Sequence, residues 1–69
     1  MTPQETVLYN AKKIRREKKL NNEDLAKNAE VTASNINYLF NTNRNLNLSS
    51  VDTLAKGLEV DVWELFERP

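Results

Sequence analysis

The sequence predicts an all-α domain of five short helices. Apolar residues recur at three- and four-residue spacing in three stretches: Val7, Leu8, Ala11 and Ile14; Val31, Ile36, Leu39 and Phe40; and Val51, Leu54, Ala55 and Leu58. No run alternates with the period of two that a half-buried strand requires. The stretches are separated by Asn, Thr, Ser and Asp, residues whose short side chains cap free helix N–H groups.

The elements follow in order. The first helix is expected to begin near Pro3, whose missing N–H is harmless in an opening turn, with Thr2 as its cap, and to run to about Lys18. Its outer face is basic. Leu20 then tucks inward, and Asn21 or Asn22 caps a second helix reaching about Asn28, with Glu23 and Asp24 matched to its positive dipole end. Thr32 caps a third helix over "VTASNINYLF", without a full capping box because Asn35 stands where Glu or Gln would reach back. A polar connection from Asn41 to Asn47 is anchored by Leu46 and Leu48, and Asn suits its turn positions. Ser49 or Ser50 is expected to cap the fourth helix, and Asp61 a last turn, "VWELF", with Val60, Leu65 and Phe66 facing inward.

Sixty-nine residues make one domain, 1–69, and a chain this short buries only about 60% of its unfolded surface. With no Cys and no His, disulfides, zinc sites, thiol nucleophiles and His-based triads are not available. Glu23 and Asp24 are the carboxylates that could serve an enzyme, and they read better as helix-start charges. No cofactor or small-molecule ligand is expected. No apolar run approaches the roughly 20 residues of a membrane span, and the start lacks a signal-like stretch, so a cytoplasmic protein is expected.

Formal net charge is zero, yet its distribution is uneven. Residues 1–49 carry eight basic residues against five acidic, a balance of +3, and residues 50–69 carry two against five, a balance of −3. A chain polarised this way can turn a basic face to phosphates and its acidic end away. The third helix is unlike the rest: in a chain that is 29% charged, Thr32, Ala33, Ser34, Asn35, Asn37 and Tyr38 carry amides, hydroxyls and a methyl but no charge.

The stretch "IRREKKLNNEDLAKNAEVTASNINYL" resembles the lambdoid Cro and repressor, or Xre-type, helix-turn-helix domains in its basic helix, Leu, polar cap, Glu-x-Leu-Ala, Val-Thr and Ile-x-x-Leu. The second half, "NRNLNLSSVDTLAKGLEVDVWELF", matches the same family in register, so the resemblance spans about Leu8 to Phe66. It implies a compact five-helix lambda-repressor-like fold with the helix-turn-helix motif at about 22–40, and helices four and five, about 49–66, for packing and dimerisation. It further implies a transcriptional regulator whose third helix enters the major groove of double-stranded DNA. Carried onto this chain, base contacts fall on Ala33, Ser34, Asn35, Asn37 and Tyr38, with Asn37 suited to adenine and Ala33 to a thymine methyl. Phosphate contacts fall on Asn22, Thr32, Asn41, Asn43, Arg44 and Asn45, joined by Lys12 and Arg16 from the basic helix.

Departures from the family pattern carry expectations of their own. Gly is common in the family where this chain has Lys19, Glu30, Thr42 and Glu59, so those turns are expected to be reshaped. Arg15 matches an arginine that usually pairs with a glutamate, but Phe40 occupies that position. Leu46 in place of Pro, with "NRNLNL", is similar to the restriction-modification controller subgroup; a phage-type repressor and an antitoxin's DNA-binding subunit are equally compatible. A homodimer on a palindromic operator is expected, using Trp63, Val62, Phe66 and Leu58, because one helix in one groove reads too few base pairs for a useful site. The competing reading is a protein-interaction module that uses Trp63 and Phe66 as anchors.

Overall fold

The computed structural model describes residues 2–42 and 46–68 and contains five helices: α1 (Pro3–Glu17), α2 (Asn22–Ala29), α3 (Ala33–Asn41), α4 (Leu48–Leu58) and α5 (Val62–Leu65). No strand occurs among the described residues. Side-chain caps start the first four helices. Thr2 and Glu5 form a reciprocal capping box at α1, as do Asn21 and Asp24 at α2, and Thr32 alone caps α3 through the Asn35 N–H. The Thr2 backbone N–H, and then its hydroxyl, hold the exposed Glu5 carboxyl below the usual glutamate range.

Two expectations about the fourth helix are corrected. Its cap is Asn47, whose Oδ1 accepts from the Ser50 N–H at 2.8 Å, rather than Ser49 or Ser50. Leu48 consequently becomes the first helical residue and stands 74% exposed, so of the two expected anchors Leu46 is the one that packs against the core. Phe66, expected inward, is 45% exposed.

The ends of α1, α2 and α4 share one device. Lys19, Glu30 and Glu59 adopt left-handed backbone, with φ of 57°, 59° and 60°. The next residue's N–H reaches back five positions in each case: Leu20 to Arg15, Val31 to Ala26 and Val60 to Ala55. These are Schellman-type ends, and Leu20, Val31 and Val60 then pack against the core. Three of the four turns expected to be reshaped therefore keep the glycine-favouring conformation without glycine; only Thr42 is extended. Burial of the following apolar residue offsets a strain of about 1 kcal/mol at each.

The core joins all five helices through Val7, Leu25, Ile36, Leu54, Leu58 and Leu65, each essentially inaccessible. The most extensive packing is α2 against α4. They approach closely at Gly57, where an added Cβ would lie 3.0 Å from the Leu25 carbonyl oxygen and 3.1 Å from its Cβ. Polar side chains fasten the remaining joints. Buried Asn10 donates to the carbonyls of Leu65 and Glu67 at 2.9 and 2.6 Å, closing the end of α5 onto α1, and Asn28 donates to the Gly57 carbonyl. The Lys18 ammonium donates to the Leu58 and Glu59 carbonyls at the negative end of α4.

Candidate nucleic-acid interface

α3 is held by one face only. Ile36, Leu39 and Phe40, spaced three and four apart, are buried, while Ser34, Asn35, Asn37, Tyr38 and Asn41 are exposed. Tyr38 is 56% exposed, so its ring does not serve the core. Ala33, at the start of the helix, is half-buried and packs against the core with its methyl. Thr32 is exposed and uses its hydroxyl on the Asn35 N–H. The outcome is a helix showing solvent a ridge of amides and hydroxyls without a formal charge.

α2 stands behind this ridge with its N-terminus beside it. Asn21 caps α2, which frees the half-buried Asn22 side chain to donate from Nδ2 to Oδ1 of Asn37 at 2.9 Å. Asn41 donates to the Asn37 carbonyl at 2.8 Å. Arg15, whose usual partner is replaced by Phe40, lies with its guanidinium carbon 4.4 Å from the centre of that ring and donates to Oδ1 of Asn22. A cation over an aromatic face is favourable by about 0.5–1 kcal/mol when exposed and more when desolvated.

The basic residues of α1 separate into groups. Lys18 is turned to the end of α4, and Lys13 lines a depression with Glu17, Glu64, Glu67 and Arg68 at the opposite side. Lys12 and Arg16 are exposed and, by helical spacing, adjoin Arg15 on the flank that meets α2. Asn43, Arg44 and Asn45 lie outside the described residues.

Among the residues expected at a dimer interface, Trp63 is 63% exposed, Phe66 is exposed and Val62 is half-buried. Leu58 is a correction: it is completely buried in the core cluster and leaves no side-chain surface for a partner. Leu48, read from sequence as an anchor, instead lines an open groove of about 460 Å³ with Pro3, Val7, Leu46, Val51 and Phe66. Among the described residues no group of carboxylates is arranged to hold a metal ion, and no helix is long and apolar enough to cross a membrane.

A helix-turn-helix whose second helix is packed on one face and offers uncharged hydrogen-bonding groups on the other defines a class of DNA-binding regulator. The chain belongs to the Cro/C1-type helix-turn-helix DNA-binding domains, whose family model matches residues 11–69. Among solved structures it is similar to the wild-type restriction-modification controller protein C.Esp1396I, with 33% identity, a TM-score of 0.76, and coverage of 96% of this chain and 86% of that one. The same protein bound to a 19-base-pair DNA duplex matches with 33% identity, a TM-score of 0.75 and coverage of 96% and 88%. No curated protein sequence matches the chain.

Proposed function

We propose that this chain is a sequence-specific regulator of transcription that binds double-stranded DNA as a homodimer, laying α3 in the major groove of each half of a palindromic operator. The observation that carries this reading is the exposed, uncharged ridge of α3 on a buried Ile36, Leu39 and Phe40 base. Base edges in the major groove present donors, acceptors and the thymine methyl, and neutral polar groups can discriminate among them without a charge. Ala33, Ser34, Asn35, Asn37 and Tyr38 are assigned to bases. Asn22, Thr32, Asn41, Lys12 and Arg16 are assigned to phosphates together with Asn43, Arg44 and Asn45.

Size and surface support dimerisation. The described residues extend 28 × 24 × 16 Å, whereas successive major-groove faces lie about 34 Å apart, so one copy cannot reach both. Trp63, Phe66 and Leu48 leave apolar surface that a second copy would cover, with Val62 at its edge. The similarity to a controller protein favours control of restriction-modification genes in the cytoplasm, by a single domain occupying 1–69.

Selection of bound duplexes from a random pool tests this reading. A palindrome with half-sites one helical turn apart is expected, with affinity falling steeply as salt rises. Asn37→Ala is expected to relax preference at one position of each half-site at a cost of about 1–3 kcal/mol, while Arg16→Ala weakens every duplex alike and lowers the salt slope by about one. Recovery of no consensus, or binding indifferent to salt, would overturn it.

A further inference from the structure

The orientation of the Asn37 amide is decided two residues away. A side-chain amide has two nearly isosteric orientations, exchanged by turning its terminal group, and only its hydrogen-bond partners distinguish them. Here the partners form a directed chain. Arg15 has donors and no acceptor, so the Asn22 atom that meets its Nη1 is the oxygen. The Asn22 NH2 therefore faces the other way, and the Asn37 atom that meets it at 2.9 Å is also an oxygen. The Asn37 NH2 is what remains for the exposed ridge. The Phe40 ring lies against the guanidinium without taking any of its N–H donors.

We propose that Arg15 and Asn22 are positioning residues that set the hydrogen-bond polarity of Asn37, so that it meets a base pair as a donor and selects an acceptor edge. This rests on the reading of α3 as the groove-binding helix. The matching edges are guanine N7 and O6, thymine O4 and adenine N7; cytosine, which offers its amino group there, is disfavoured. The proposal narrows the adenine pairing expected from sequence. A bidentate adenine contact needs Oδ1 and Nδ2 side by side on the base edge, the first accepting from the base amino group while the second donates, and here Oδ1 is turned toward Asn22.

Asn22→Asp reverses the polarity. A carboxylate strengthens the contact with Arg15 but offers no donor, so Asn37 turns its own NH2 inward and shows the oxygen to the groove. Overall affinity is expected to fall, because Asn22 is also assigned to a phosphate. Duplexes selected by the variant are expected to change from guanine or thymine, which present acceptors, to cytosine at one position of each half-site, by about tenfold in enrichment, with the other positions retained. Adenine, which presents both a donor and an acceptor, is compatible with either polarity. In an Asn37→Ala background the same substitution should leave base preference unchanged. Weaker binding with an unaltered consensus would overturn the proposal, as would a change spread over several positions. Neutron diffraction from the DNA-free protein tests the amide chain separately: deuterons of Asn22 are expected on the Asn37 side and those of Asn37 outward, and the opposite placement would refute the relay. If the wild-type chain selects no duplex, the groove reading fails, while the neutron result still decides the relay.

Discussion

Glu30 and Glu59 occupy left-handed backbone where a Cβ meets the following carbonyl, and both are exposed. Neither side chain contributes packing that would offset the strain, so Glu30→Gly and Glu59→Gly should each stabilise the fold by up to about 1 kcal/mol, less the entropy that glycine adds to the unfolded chain. For a domain this small 1 kcal/mol corresponds to a rise in Tm of about 4–8 °C. A fall in Tm on either substitution would show that these carboxylates serve the native state in a way their exposure does not suggest. The family resemblance marks these positions, because Gly is common there; it does not reveal whether the turn opens or the residue submits. The structure shows submission at three of four sites, since opening the turn would withdraw an apolar side chain from the core. Asn10 shows what residue-level reading misses: a polar side chain on an inward face gives no signal until the α5 carbonyls it serves are placed beside it.

At the scale of elements, the helices and their order are legible from periodicity and caps, while the α2–α4 crossing is not. The α2–α4 contact turns on Gly57, which in sequence is only a glycine near a helix end. Glycine inside a helix is unfavourable by about 1 kcal/mol relative to alanine, so an isolated α4 would gain from Gly57→Ala. The intact domain is expected to lose stability instead, because the added methyl meets the backbone of Leu25 rather than a flexible side-chain tip. Urea denaturation decides it: a higher midpoint in the variant would mean that α2 and α4 separate at no cost. The start of α4 differs from the expected one for a related reason. Asn47, Ser49 and Ser50 are all good caps, and an apolar Leu48 between them looks buried until the Asn47 cap places it at the first, outward position of the helix.

At the scale of the whole molecule, the charge asymmetry read from sequence acquires geometry. Lys18 is bonded at the end of α4 and Lys13 lines the depression beside Glu64 and Glu67, while Lys12 and Arg16 adjoin Arg15, so a neutral chain can still offer cations next to α3. The candidate base-facing ridge was legible because a helix with a periodic buried face and no charge on the other is unusual in so charged a chain. The Arg15, Asn22 and Asn37 chain was not, because residues 15, 22 and 37 meet only after three helices are packed. The proposed dimer surface separates from the reading surface at this scale. Trp63→Ser with Phe66→Ser should shift sedimentation at micromolar concentration toward the monomer, weaken operator binding and remove the concentration dependence of Tm, while the helical circular dichroism at low temperature is kept, since neither residue belongs to the buried core. A variant that stays dimeric would place the interface elsewhere.

The central claim is that the uncharged face of α3 is the surface that meets the bases. Amide and side-chain NMR spectra recorded during titration with the selected duplex test it most directly. The account expects the largest changes at Ser34, Asn35, Asn37 and Tyr38, with the side-chain NH2 signals of Asn37 among them and Lys13 and Lys56 little affected. Changes concentrated on α4 and α5, with those four residues silent, would contradict it.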